Sequence, residues 1–260
     1  MSGYVVREIY PWLYSLCDLD GAYCYLAVGN ERALLFDTTH GVGSLPDAIR
    51  KITDKPVEVA LGHGHLDHVG GAYQFDEVWL HEADFDLCHK HASMKARGRG
   101  VDEKATPEGF DWDAYLNAGA GNLKKMEIGQ VFDLGGLCME VVGMEGHTAG
   151  SVGLLAQEHR VLLNSDSANA HIWMFLRESL PLSQYIAMLE RVIQLDFDNF
   201  FTGHSDEPKS KSDFRKYIVV ARNASIEKAR PYHILPDFGG YLYKEDDAAI
   251  VFHPDKMGTD

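Results

Sequence analysis

Apolar and polar positions alternate in short runs over residues 4–9, 12–16, 22–28 and 33–36, separated by turn-forming residues at 18–21 and at Gly29-Asn30. A period of two bounded by such breakers predicts four strands of an antiparallel meander. Helical spacing takes over at 45–52, and an apolar, partly β-branched run at 57–61 predicts a short buried strand that stops at Gly62. Further strand patterns cover 78–80, 131–134, 138–144, 151–156, 161–164 and 199–202, with Gly135-Gly136 a hairpin turn between two of them. Helical patterns cover 81–91, 183–195 with Ser183 as its N-cap, and most of 208–230. A closing hairpin is expected from 241–243 and 248–252.

Between 93 and 125 the periodicity fades into mixed glycine, charge and aromatic residues. This segment is expected to be a lid or insertion, with Phe110, Trp112 and Tyr115 either reaching over a substrate or anchoring a long loop. The remainder predicts one α/β domain over residues 1–260, since 45% apolar content suffices for one large core.

One stretch breaks the patterning. His63-Gly-His65-Leu-Asp67-His68 places three imidazoles and a carboxylate in six positions directly after the 57–61 strand. His63 and His65 leave an extended backbone on the same side, so both reach one cation, and the turn that follows redirects Asp67 and His68 toward a second position. Burying so many ionisable groups without a cation is costly. His81, His89 and His91 lie outside this cluster, and a surface or capping role is expected for them.

The motif resembles the His-x-His-x-Asp-His signature of the metallo-β-lactamase-fold hydrolases. Three later stretches resemble that family's other motifs in the same order: Glu145-Gly-His147-Thr-Ala-Gly150-Ser, Leu163-Asn-Ser-Asp166-Ser and Phe201-Thr-Gly-His204-Ser. The resemblance implies a four-layer αββα sandwich. It implies that His63, His65 and His147 hold one metal, that Asp67, His68 and His204 hold a second, and that Asp166 bridges them. Asp37, ending the fourth strand, takes the place of an aspartate that supports the metal loop. Imidazole and carboxylate donors suit two divalent ions, Zn²⁺ by preference, with Fe or Mn also accepted.

The activity implied is hydrolysis of an ester, thioester or lactone of a small molecule by a metal-bound hydroxide, with Asp67 orienting it or relaying a proton. The glyoxalase II and lactonase branches fit better than the exported zinc β-lactamases, which frequently place a cysteine in the second site. Persulfide dioxygenases, with a single iron, are the alternative enzyme class, and a non-catalytic metal-binding or regulatory protein is the alternative outside enzymes. His171 and Trp173, in the apolar run after Asp166, are candidate substrate contacts, the opposing reading being a core segment. The cations of 208–230 either edge the pocket, as basic residues do in glyoxalase II, or form a solvated helix face.

The net charge of −15 disfavours a nucleic-acid partner. No window approaches the roughly 20 uninterrupted apolar residues of a membrane span, and no signal peptide pattern is present. Cys17, Cys24, Cys88 and Cys138 form no C-x-x-C pair, which favours a reduced, cytoplasmic protein, although Cys17 and Cys24 can also be read as facing each other across a hairpin. Nothing in the sequence indicates an oligomeric state.

Overall fold

The computed structural model describes residues 3–101, 106–236 and 238–257. Residues 102–105 of the expected lid, and residues 1–2, 237 and 258–260 of the expected 1–260 domain, lie outside the described residues. The first half of the chain builds strands β1 (Val5–Tyr10), β2 (Leu13–Cys17), β3 (Tyr23–Val28) and β4 (Ala33–Phe36), helix α1 (Leu45–Arg50), strand β5 (Val57–Ala60) and helix α2 (Leu66–Val69). Strand β6 (Val78–His81), helices α3 (Phe85–His91), α4 (Met94–Gly100) and α5 (Trp112–Asn117), and strand β7 (Leu123–Met126) complete it. The strands form one sheet in chain order β1 to β7, the expected meander continuing into parallel pairs from β4 onward.

The second half contributes β8 (Val131–Asp133), β9 (Cys138–Gly143), β10 (Val152–Ala156), β11 (Val161–Leu163), β12 (His171–Met174), α6 (Leu182–Val192), β13 (Asn199–Thr202) and β14 (Ser205–Ser210). After these come α7 (Lys211–Asn223), β15 (Arg230–Leu235), β16 (Phe238–Glu245) and β17 (Ala248–Phe252). A second sheet has the order β14-β13-β11-β10-β9-β8, and a third, smaller sheet the order β12-β17-β16-β15.

The expected αββα sandwich is present. Leu13, Tyr25 and Phe36 of the first sheet meet Met139, Leu154 and Phe201 of the second in an inner core. Outside the first sheet, α1 and α3 bury Leu45, Ile49 and Cys88 against Leu35, Val59 and Leu80. Outside the second, Tyr185 and Leu189 of α6 and Phe214 of α7 pack on Leu155 and Phe200. Truncating a fully buried ring such as Phe214 to alanine would cost about 3–5 kcal/mol. Strands β4 and β10 are buried at every position because both faces are covered, which explains their nearly unbroken apolar sequences.

Four local expectations are corrected. Segment 93–125 is not irregular: it holds α4, α5 and the edge strand β7, and Phe110, Trp112 and Tyr115 pack with Val42 and Val101. Helix α6 begins after Pro181, which fixes the backbone where Ser183 was expected to cap. The start of the expected 208–230 helix is instead strand, because 208–210 belong to β14, which pairs antiparallel with β13, and a Ser210–Asp213 capping box starts α7 only afterwards. Cys17 and Cys24 do not face each other, their strand partners being Tyr23 and Leu16, and all four cysteines are free thiols.

Candidate metal centre

Four strands deliver the site. Parallel β4 and β5 in one sheet, and parallel β11 and β13 in the other, direct their carboxyl ends to the same edge of the sandwich. The residues that follow them are Asp37, the His63–His68 loop, Asp166 and His204. The sheets are tied together there by the amide of Val152, which donates to Gly62 O, and the amide of Tyr23, which donates to Gly203 O, both at 2.8 Å. Close approach dictates the glycine at 203: a Cβ would lie 2.5 Å from His68 Cε1 and 2.7 Å from Asp166 Oδ1.

Two buried carboxylates hold the loops. Asp84 accepts from the amides of Gly64 and Gly150, both at 2.8 Å, and from Thr148 Oγ1 at 2.6 Å, so the loops carrying His65 and His147 share one anchor. Asp37 accepts from the Gly62 amide at 2.6 Å through Oδ1, and through Oδ2 from Ser165 Oγ at 2.7 Å and His68 Nδ1 at 2.9 Å. Asp37 and Ser165 adopt left-handed backbone angles, φ 67° and 50°, strain concentrated where the loops must turn inward.

His63, His65 and His147 form the first cluster, their ligand atoms within 4.8 Å of one another. His147 Nδ1 donates to Trp173 O at 2.8 Å and His65 Nε2 donates to Glu178 Oε1 at 2.8 Å, which assigns the lone pairs to His147 Nε2 and His65 Nδ1. Those two atoms face each other at 3.0 Å, and His63 Nε2 is also 3.0 Å from His65 Nδ1. Lone pairs converging without a proton between them are the arrangement a cation satisfies. Burial, then the neighbouring histidines, hold His63 well below the usual imidazole range, and burial and His65 push His147 down to about 4.

The second cluster is Asp67, His68, Asp166 and His204. His204 Nε2 lies 3.0 Å from Asp166 Oδ2 and 3.4 Å from Asp67 Oδ2, while His68 Nε2 is 3.4 Å from Asp67 Oδ2 and 3.6 Å from Asp166 Oδ2. The Asp166 carboxylate raises His204 to about 9. Burial opposes a charge on His68, but Asp67, Asp37 and Asp166 outweigh it and hold its pKa well above the usual value. His68 Nε2 and Asp166 Oδ1 are buried without a hydrogen-bond partner among the described residues, the kind of orphaned donor atoms that metal coordination satisfies. The chemistry of both donor sets therefore fits divalent cations.

Asp67 faces an open cavity of ≈ 940 Å³ that also contains His65, His147, Asp166 and His204. His171 and Trp173 line the same cavity from β12. Two potential metal ligands in the cavity were not singled out in the sequence. Glu178 belongs to no motif, and only the preceding apolar run hints at a wall. His91 was expected to cap or to be surface. It does accept from the Leu66 amide, at 3.3 Å, but its ring also stands 4.9 Å from that of His65 inside the cavity. With His65 and Glu178 it forms a third cluster of possible ligand atoms, and its place in the last turn of α3 was its sole signal.

Fold and geometry agree with the comparisons to known proteins. Residues 17–204 match the metallo-beta-lactamase superfamily, and the chain belongs to it. Among curated relatives it is 26% identical over 186 residues to acyl-coenzyme A thioesterase MBLAC2 of Gallus gallus, covering 67% of each chain. It is also 26% identical over 211 residues to a hydroxyacylglutathione hydrolase of Ruegeria pomeroyi, covering 77% of this chain and 74% of that one. Among solved structures, the superfamily protein ST1585 from Sulfolobus tokodaii superposes with a TM-score of 0.56 at 20% identity over 88% of this chain and 91% of its own, a likeness of fold. No helix among the described residues is long and apolar enough to cross a membrane.

Proposed function

We propose that the chain is a binuclear metallo-hydrolase of esters and thioesters. His63, His65 and His147 would hold one cation, and Asp67, His68, Asp166 and His204 the other. The observation that carries this reading is the pairing of orphaned donor atoms, His68 Nε2 and Asp166 Oδ1, with the converging lone pairs of the histidine cluster beside one cavity. Both relatives named above are, by their names, hydrolases of acyl thioesters, which supports the thioester class.

Divalent cations held there, zinc by preference, would supply Lewis acidity and lower the pKa of a substrate water toward ~7. The chain's own residues do the rest. Asp67, half-exposed to the cavity and held ionised against burial by His68 and His204, presents Oδ2 toward those two imidazoles, and its other oxygen accepts a hydrogen bond from the attacking water and takes its proton. Asp37 and Glu178 fix the tautomers of His68 and His65 so that each presents a lone pair inward. In the overall reaction the acyl carbon gains the water oxygen, the bond to the leaving sulfur or oxygen breaks, and the leaving group departs with a proton. Four free thiols accord with a reduced, cytoplasmic setting.

The test is elemental analysis of protein purified without chelator, coupled to turnover of an ester, thioester and lactone panel. About two metals per chain with thioester or ester turnover supports the proposal. One iron per chain with oxygen uptake on a persulfide would replace it with dioxygenase chemistry, and full metal loading with no turnover would leave a binding or regulatory protein.

A further inference from the structure

The cavity beside the two clusters has a second chemical character. Ile172, Trp173, Leu176 and Phe238 give it an apolar wall, and Phe238 is 40% exposed there. Four cations line it as well: Lys90 of α3, Arg99 of α4, Arg177 beyond β12 and Lys209 of β14. Lys90, Arg99 and Arg177 are exposed and Lys209 is half-exposed.

The net charge is −15, and many cations elsewhere on this surface find carboxylates, as Arg7 does Glu207, Arg160 Asp198, Arg191 Glu145, Lys216 Asp247 and Arg222 Glu190, while Lys95, Arg215, Arg230 and Lys244 stand singly, without an ion pair among the described residues. The four cavity cations make no ion pair and no side-chain hydrogen bond among the described residues. The carboxylates of the same cavity, Asp67, Asp166 and Glu178, are engaged by His68, His204 and His65. An isolated solvated lysine needs no explanation. Four uncompensated cations from four separate elements, lining one cavity with the candidate catalytic groups, concentrate positive potential at that opening in an otherwise acidic protein.

We propose that Lys90, Arg99, Arg177 and Lys209 recognise clustered phosphate groups on the leaving-thiol portion of the substrate, while the wall of Ile172, Trp173, Leu176 and Phe238 takes an apolar acyl chain. The substrate class is then an acyl thioester of a phosphorylated thiol. This assignment rests on the thioester-hydrolase reading above. Guanidinium forks and ammonium point charges both suit phosphate, and several together favour a polyanion over the single charges of a small carboxylate. Recognition of this kind acts on KM and is screened by salt.

The experiment compares an octanoyl thioester of coenzyme A with the octanoyl thioester of pantetheine, which lacks the phosphates, on metal-loaded wild type and on the double variants Lys90→Gln/Arg99→Gln and Arg177→Gln/Lys209→Gln. Wild type is expected to prefer the coenzyme A thioester by about 10-fold or more in kcat/KM, with the preference residing in KM and shrinking as salt rises. Each double variant should reduce that ratio about 5- to 10-fold. Equal kcat/KM for the two thioesters in wild type, or a ratio unmoved in both variants, overturns the proposal. Binding of a non-hydrolysable thioether analogue of octanoyl-coenzyme A is measured by calorimetry in parallel. Charge-dependent binding without turnover would sink the hydrolase reading and leave the phosphate rim standing; absence of binding would sink the rim.

Discussion

The two candidate metal clusters differ in how they are satisfied without a cation. His63, His65 and His147 are buried imidazoles whose inward lone pairs repel, and burial together with the neighbouring rings holds His63 and His147 below the usual basicity. Asp67, His68, Asp166 and His204 form a self-compensating set in which carboxylates hold imidazoliums, and His204 stands 45% exposed at the cavity. The first is built to hold a cation by geometry. In the second, a metal would replace an internal ion pair, so protons would leave as metal entered.

The largest expected effect comes from removing the atom on which the first cluster converges. His65→Ala should lose the first metal and at least ~10³-fold of kcat/KM, read by elemental analysis and thioester turnover. A variant that kept both metals and full activity would break the contrast. Asp166→Asn comes next: it weakens the ion pair with His204 and the link to His68, and a loss of ~10²-fold or more in activity with depletion of the second metal is expected. Asp37→Asn leaves every candidate ligand in place but removes the anion that holds His68 Nδ1–H, so metal affinity of the second cluster should fall ~10–100-fold, measured by competition with a chromophoric chelator.

The smallest effect sharpens the comparison most. At pH 7 His204, at about 9, and His68, held high by its carboxylates, carry protons that metal displaces, whereas His147, at about 4, and His63 are already neutral. Loading the second cluster should therefore release about two protons, and its affinity should rise with pH toward 9, while His63 and His147 contribute none. Calorimetry of metal binding in buffers of different ionisation enthalpy reads this directly, and equal proton release from both clusters would contradict it.

The sheets and the seven motif positions were legible because period-two runs and closely spaced histidines are local signals. Of the third sheet only the closing hairpin β16–β17 was, since β12 joins it in parallel with His171 opposite Ala249, a register no local pattern encodes. Segment 93–125 looked irregular because its order depends on tertiary contacts: α5 buries Tyr115 against Val42, and β7 pairs with β6 across the intervening helices. Glu178 and Asp84 were invisible as site residues for a related reason. Each acts on a loop distant in sequence, Glu178 on His65 and Asp84 on Gly64 and Thr148, so only the fold reveals what it holds.

Arg97 makes the same point in time. Its guanidinium is fully buried between the rings of Tyr73 and Tyr115 and donates to the carbonyls of Ala92, Gly70 and Gly119. Gly70 lies two residues beyond His68, so the backbone that carries the first histidine loop is pinned by a side chain and a carbonyl that come later in the chain. On the ribosome, where segments emerge from the N-terminus onward, that loop cannot set until Gly119 has been made. A cation would thus meet a site already shaped by its neighbours, whereas one arriving before Gly119 would find the histidine run without the Arg97 brace.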